Sequence, residues 1–526
     1  MNNNALPQRP RRAVVIALLV ALALAPLALA TSRIVRGMGD ACLASDFALT
    51  ELSVGEAAHA AQLVGPYSRF GWRHPGPTYF YLLAPLYRIS GGSSASLPVS
   101  VLIINWAAIL GMVAALWRWA DDWAPLALSL PLAFAYGAYL GPGFAYNIWN
   151  PAVTVLPLGV LLLTGAAVAC GRTAPIPLVV AIGSFLVQTH VGYLPCVAAA
   201  IACAAVFWWR ARENAGPSKR GSQVTTVVAT LTTLVLLWTP PVVEELARTP
   251  GNLTSIARFF IGRTAEHTLG EALSIVAREI AWPWSYLLFG ARDQYSPYPA
   301  LAGARLAVAV SIAVTQMALL GFWSLRLRER PFARALARVS LACTLAAVAA
   351  VMRASGEVRP YLTTWISVVG LVGAVGAFAP LVSHWAALRP GLRAAAGLAL
   401  VVGIGFALSL VGRPLVRDSQ FAPARAASEA VIAALRQRGT RRPQVTIQTG
   451  SPELFFGASA VLLQMHKSGI AFAVNRPWWN FFGERWLPNG AEDGALAFRM
   501  SPTPGGPAPI ACARTDRSEL CITLSQ

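Results

Sequence analysis

The sequence predicts a polytopic α-helical membrane protein that carries a small soluble α/β domain at its C-terminus. Composition is the first indication: of 526 residues, 56% are hydrophobic and only 12% charged, with a mean hydropathy of +0.55. Soluble domains rarely combine those values. Apolar runs of about 20 residues also recur along the chain, each long enough as a helix to cross a hydrocarbon core of about 30 Å. Finally, the last stretch, roughly 110 residues, loses this pattern and alternates helical with strand-like periodicity.

About eleven spans follow from the apolar runs. They fall near 13–31, 97–117, 123–140, 151–169, 176–190, 191–209, 223–243, 302–324, 335–352, 362–384 and 394–412. Arg9, Arg11 and Arg12 precede the first run as they would in a signal peptide, but it is expected to be retained as a span. The fifth and sixth runs are one long apolar stretch, interrupted by QTHVGYLP.

Positive charge on alternate loops sets the expected orientation. One set holds the N-terminal arginines, Arg118, Arg172, Arg210, Arg212, Lys219, Arg220, Arg326, Arg328, Arg330, Arg334, Arg338, Arg389 and Arg393. With an odd number of spans all of these face the cytoplasm. The N-terminus is then cytoplasmic. The loops 32–96, 244–300 and 353–361 face outward with the tail. The chain thus divides into a membrane domain, 1–412, and an extracytoplasmic α/β domain, 413–526. The net charge of +19 does not argue for nucleic acid, because much of it sits on short loops that meet anionic membrane lipid.

In the first loop, EAAHAAQLV reads as helical, and Pro75 and Pro77 break that pattern. The 244–300 loop holds an amphipathic stretch, LTSIARFFIGRTAEHTLGEALSIVAREI, followed by the interfacial aromatics of WPWSYLLF. In the tail, ASEAVIAALRQRG reads as a helix ending at Gly439, PQVTIQT as a strand, SPELFFGASAVLLQMHKSG as a helix and IAFAVN as a strand. Cys512 and Cys521 are expected to form a disulfide, whereas Cys170, Cys196, Cys203 and Cys343 lie in apolar runs as small core residues. No cysteine pair is spaced for zinc.

Chemistry-bearing residues gather on the first outward loop. If the segment between them is helical, Asp46 and Glu51 lie about one turn apart on neighbouring faces; the alternative is a solvated loop acid. A carboxylate at a low-dielectric surface has its pKa raised and can act as a general base on a hydroxyl. Paired acids can also hold a divalent cation; the residues do not fix a cofactor. GPYSRFGWRHPGPTYFYLLAPLY adds cations and donors in Arg69, Arg73 and His74, and stacking surfaces in Tyr67, Tyr79, Tyr81 and Tyr87. The His74-Pro75-Gly76-Pro77 string fixes the backbone and would present His74 to a ligand.

Four further regions are candidates. Asn147 and Asn150 in GPGFAYNIWNP suit sugar hydroxyls, although Asn150-Pro151 also reads as a helix cap. Gln188, Thr189 and His190 end an apolar run and would line a cavity or serve structure. Arg353, Glu357, Arg359 and Tyr361 lie together, and an arginine fork suits a phosphate. The alternative for Glu357 and Arg359 is a surface ion pair. Arg258, Arg263 and His267 read as interface charge, with contacts to anionic substrate as the alternative, and WWNFFGERW (478–486) as an aromatic patch that docks on the membrane or closes the site.

The pattern resembles the GT-C superfamily of membrane glycosyltransferases, the class of protein O-mannosyltransferases and aminoarabinose–lipid A transferases. Asp46 with Glu51 is similar to that family's acidic motif just after the first span. His74-Pro75-Gly76-Pro77 is similar to its His-Pro segment, with Gly76 where proline is usual. The overlap covers residues 1–210. The resemblance implies a polyprenyl-phosphate sugar donor entering from the lipid, Asp46 as the base on an envelope lipid, glycan or protein acceptor, inversion by direct displacement, and arginines on the donor phosphate.

Two other classes compete. A flippase of lipid-linked sugars would share the polar and cationic residues, but no repeated interruption of helices in two halves is visible. A non-catalytic envelope assembly protein would use the tail for docking and would not need the acidic loop.

Overall fold

The computed structural model describes residues 24–25, 27–38, 42–141, 143–213, 220–282, 303–383, 424–448, 452–475, 478–500, 508–514 and 519–525. It divides into two compact units. One comprises Met1–Arg33, Val101–Thr239 and Ile261–Arg413; the other comprises Ile34–Ser100, Pro240–Phe260 and Pro414–Gln526.

The chain is a polytopic helical membrane protein. Among the described residues seven helices are long and apolar enough to cross a membrane: Ser96–Trp119, Asn150–Ala169, Val191–Arg212, Gln223–Ala247, Gly303–Arg326, Pro331–Met352 and Pro360–Val382. Each coincides with an expected span. Two other expected spans are helices but shorter, Ala124–Leu140 with 17 residues and Ile176–Thr189 with 14. Most of the expected span 13–31 and all of 394–412 lie outside the described residues, as does WPWSYLLF after Trp282.

The first unit is built around Val155–Ala169, whose every residue is buried. Leu194–Glu213, Pro331–Met352, Ile176–Thr189 and Pro360–Val382 all pack against it. Such helices cannot gain from burying apolar surface out of lipid, so close backbone approach and polar contacts between helices replace that driving force. At Gly370 an added Cβ would meet the Ile280 Cα at 2.9 Å. The same Gly370 carbonyl accepts a bond from Gln316 Nε2 at 3.1 Å, and Trp323 Nε1 donates to the Ala377 carbonyl at 2.9 Å. Leu269–Ile280 is opened by a Thr268–Glu271 capping box and lays Ala272, Val276, Ala277 and Ile280 into the bundle.

In the second unit Ser45–Ala58 and Thr78–Ile89 pack together, and Pro452–Lys467 packs on the former. The first helix stops earlier than EAAHAAQLV suggested. Ala60 takes the left-handed conformation (φ 57°), Ala61 N donates to the Glu56 carbonyl at 3.0 Å, and Ala60 N to that of Ala57 at 3.0 Å. These two bonds form a Schellman end, which outweighs the helical propensity of the alanines beyond it.

The tail forms a five-stranded sheet from β1 (Gln444–Ile447), β2 (Ala473–Val474), β3 (Ala495–Arg499), β4 (Ala511–Arg514) and β5 (Glu519–Ser525), in the order β2-β1-β3-β5-β4. Pairing is parallel between β1 and β2 and between β1 and β3, and antiparallel for β3–β5 and β4–β5. Pro452–Lys467 is the crossover between β1 and β2, and Ala424–Arg438 packs on it. The expected helices and first two strands are present. Cys512 and Cys521 are bonded where β4 faces β5.

Candidate functional site

Asp46 stands in the first turn of Ser45–Ala58, where a negative charge complements the helix dipole. Its backbone carbonyl takes the Thr50 hydroxyl at 2.8 Å, and its Oδ1 accepts a hydrogen bond from the Tyr67 hydroxyl. Ser45, just before it, has φ 51° and donates its backbone N–H to Ser459 Oγ at 2.7 Å. A side chain in that conformation is uncommon and is held by its surroundings.

Tyr67 belongs to a short hairpin. Gly65 N donates to the His74 carbonyl at 2.9 Å, His74 N to that of Pro66 at 2.8 Å, and Ser68 N to that of Trp72 at 3.0 Å. Gly71, with φ 85°, makes the turn. Tyr67 and Arg73 pair across the hairpin. Asn252 clamps Arg73 on both backbone groups: its Oδ1 accepts from Arg73 N and its Nδ2 donates to the Arg73 carbonyl, each at 2.9 Å. The Arg73 Nη2 donates to the Phe481 carbonyl at 2.9 Å. Burial, and then the neighbouring charge of Arg248, lower the Arg73 pKa to about 10, so it stays a cation at neutral pH.

Arg69 lies at the hairpin tip, exposed, with its guanidinium 5.0 Å from the centre of the Phe70 ring. His74 is buried and set edge-on to Trp72 at 5.5 Å. Tyr79 is fully buried against Phe80, and burial pushes its phenol well above the usual range.

Glu51 is fully buried and belongs to a polar cluster. Its Oε1 takes Lys467 Nζ at 2.6 Å, Ser94 Oγ at 3.0 Å and Tyr87 OH at 3.3 Å. Its Oε2 is buried without a hydrogen-bond partner among the described residues. Burial and the charge of Glu51 raise the Tyr87 pKa. One turn further, Glu56 pairs with Arg485. Tail side chains therefore touch Ser45–Ala58 near its start, its middle and its end.

The remaining candidates lie in the first unit. His190 is buried, 5.9 Å from the Tyr193 ring, and Tyr193 stands 5.4 Å from that of Trp365. The neighbouring polar groups meet backbone carbonyls: Gln188 Nε2 that of Leu237 at 2.8 Å, and Thr189 Oγ1 that of Phe185 at 2.6 Å. Asn150 is the first residue of its helix and makes no cap; its Nδ2 donates to the Thr189 carbonyl at 3.1 Å, while Asn147 Oδ1 accepts from Trp149 N at 3.0 Å. Glu357 and Arg359 form an exposed ion pair at 3.1 Å. His267 Nε2 lies 2.9 Å from the Gly356 carbonyl, and Glu266 Oε2 accepts from Gly356 N at 2.7 Å, so these charges bind two turns together.

The structure thus brings Asp46, Glu51, Arg69, Arg73, His74 and Tyr79 into one compact unit and His190, Glu357 and Arg359 into the other. Among the described residues no group of three or more His, Cys, Asp or Glu is placed to hold a metal ion. Phe481 and Arg485 lie in the WWNFFGERW patch singled out from the sequence, whereas the partners Lys467 and Asn252 were not. A carboxylate inside ALTELSVGEAA was the available signal for a buried cation, since an unpaired charge there is costly.

No family model matches the chain, and no curated protein matches it. Among solved structures it is similar to ArnT from Cupriavidus metallidurans bound to undecaprenyl phosphate, at 14% identity over 96% of this chain and 97% of that one, with a TM-score of 0.47.

Proposed function

We propose that this chain is an integral-membrane glycosyltransferase. It moves a sugar from a polyprenyl-phosphate donor to an envelope lipid, glycan or protein acceptor. The reaction runs on the outer face of the cytoplasmic membrane, at a site carried by the 32–96 loop. One observation carries the reading: the Asp46 carboxylate, held by the Tyr67 hydroxyl, shares a compact unit with the Arg69–Arg73 hairpin. The acidic and His-Pro motifs that resemble the GT-C pattern lie in these same elements.

Asp46 takes the proton of the acceptor hydroxyl as that oxygen attacks the anomeric carbon. The bond from that carbon to the phosphate oxygen breaks on the opposite face, and the configuration inverts. The leaving phosphate gains negative charge, which fixed cations such as Arg69 and Arg73 stabilise. Glu51 anchors the tail through Lys467, which leaves Asp46 as the base. The disulfide Cys512–Cys521 agrees with a tail on the oxidising side of the membrane.

The test is transfer of radiolabelled sugar from polyprenyl-phosphate donors to an envelope extract, with wild type beside Asp46→Asn. The variant is expected to lose on the order of 10²–10⁴-fold in rate while remaining folded. Full activity in Asp46→Asn removes the base assignment. Absence of transfer by the wild type with every donor favours the flippase reading.

A further inference from the structure

We propose that Tyr67 is the positioning residue for Asp46, and that Phe481 of the tail seats it. The proposal rests on the reading of Asp46 as the base. The Tyr67 hydroxyl donates to Asp46 Oδ1. Its backbone and its ring are each held. The hairpin pairing ties Tyr67 to Arg73. The Phe481 ring lies 5.0 Å from that of Tyr67 at 60°, and the carbonyl of the same Phe481 receives the Arg73 guanidinium.

Phe481 is itself held. Its ring stands 5.1 Å from Phe455 and 5.7 Å from Trp478, and those two stack at 8°. The Trp478 indole donates to the Ile447 carbonyl of β1 at 2.7 Å. A chain of aromatic contacts therefore runs from the tail sheet to the hydroxyl on Asp46. A carboxylate turns about its last torsion, and one fixed donor selects a single orientation of its two oxygens. Rate depends steeply on that orientation. A donor to the charged form also keeps the carboxylate ionised, as a base must be before it takes a proton.

The experiment uses full-length protein in nanodiscs with a polyprenyl-phosphate sugar, comparing wild type, Tyr67→Phe, Phe481→Ala, the double variant and Asp46→Asn. Tyr67→Phe is expected to lower kcat roughly 10- to 100-fold with donor KM within about twofold. The acidic limb of its pH–rate profile is expected to move up by about one unit. Phe481→Ala is expected to lower kcat in the same direction, and the double variant to be little worse than Tyr67→Phe alone. Wild-type kcat and an unmoved limb in Tyr67→Phe, with Asp46→Asn inactive, overturn this proposal and leave the base assignment standing. An active Asp46→Asn overturns both. Infrared titration of ¹³C-labelled aspartate reads the same link without turnover. A band absent from Asp46→Asn should titrate at higher pH in Tyr67→Phe, and an unchanged midpoint overturns the proposal.

Discussion

The Glu51 carboxylate meets the Lys467 ammonium at 2.6 Å, with Glu51 wholly enclosed and the Lys467 side chain 26% exposed. Their partners Ser94 and Tyr87 satisfy one carboxylate oxygen but not the other. Removing one member of such a pair strands a charge in a poorly solvated place, and this costs more than the pair contributes. Lys467→Met is expected to destabilise the folded tail by about 2–4 kcal/mol. Glu51→Gln is expected to cost less, and the double variant less than the sum of the two. Denaturant unfolding of the four proteins closes the cycle. Strict additivity would mean that the two groups do not interact.

Gly483 has φ 107°, and a Cβ built on it would lie 3.0 Å from Arg73 Nη2. The backbone there favours glycine, and a side chain at this position would meet the end of the Arg73 guanidinium, which would have to shift. Gly483→Ala is expected to lower stability by about 1–3 kcal/mol. Arg73 should then leave the Phe481 carbonyl. Thermal unfolding measures the first effect. A melting temperature equal to the wild type's would show that the turn tolerates a side chain.

His466 packs edge-on to Trp486 at 5.1 Å, and burial, then the charge of His59, lower its pKa. The folded form therefore binds this proton less readily than the unfolded chain, whose value is about 6.5. Its contribution is complete above that value and is lost as pH falls below it toward the folded value. Tail stability is expected to decline as pH falls from about 7 to 5, and His466→Gln to flatten that slope. Unfolding midpoints across this range, wild type against variant, check the sign. Parallel slopes would assign the pH dependence to other groups.

Much of the fold is legible in the sequence because lipid imposes a coarse rule. A span must be apolar for about 20 residues, and Ser96–Trp119 or Gly303–Arg326 announces itself by that alone. The tail was legible where periodicity is strong, as in Pro452–Lys467. It was not legible at β3, β4 and β5, where ALAFR, ACAR and ELCITLS are short and gain their identity from pairing with one another. The candidate site divides the same way. The acidic and cationic residue types on the 45–87 stretch stand out against an apolar chain. Their partners do not: Lys467 lies 416 residues from Glu51, and no local pattern records that contact. Tyr67 was visible as an aromatic surface, but its hydroxyl reaches Asp46 only after Gly71 turns the hairpin back.

The bond from Ser45 N to Ser459 Oγ joins residues 414 positions apart. At ordinary rates of synthesis, roughly 20–80 s separate the appearance of those two serines at the ribosome. During that interval the helix that carries Asp46 exists without its neighbours from the tail. A chain interrupted before Ser459 would keep the bonds made within the first loop and lack those from Ser459, Lys467 and Arg485. Synthesis of the tail thus adds the contacts at Ser45, Glu51 and Glu56, on either side of an Asp46 that the first loop already holds.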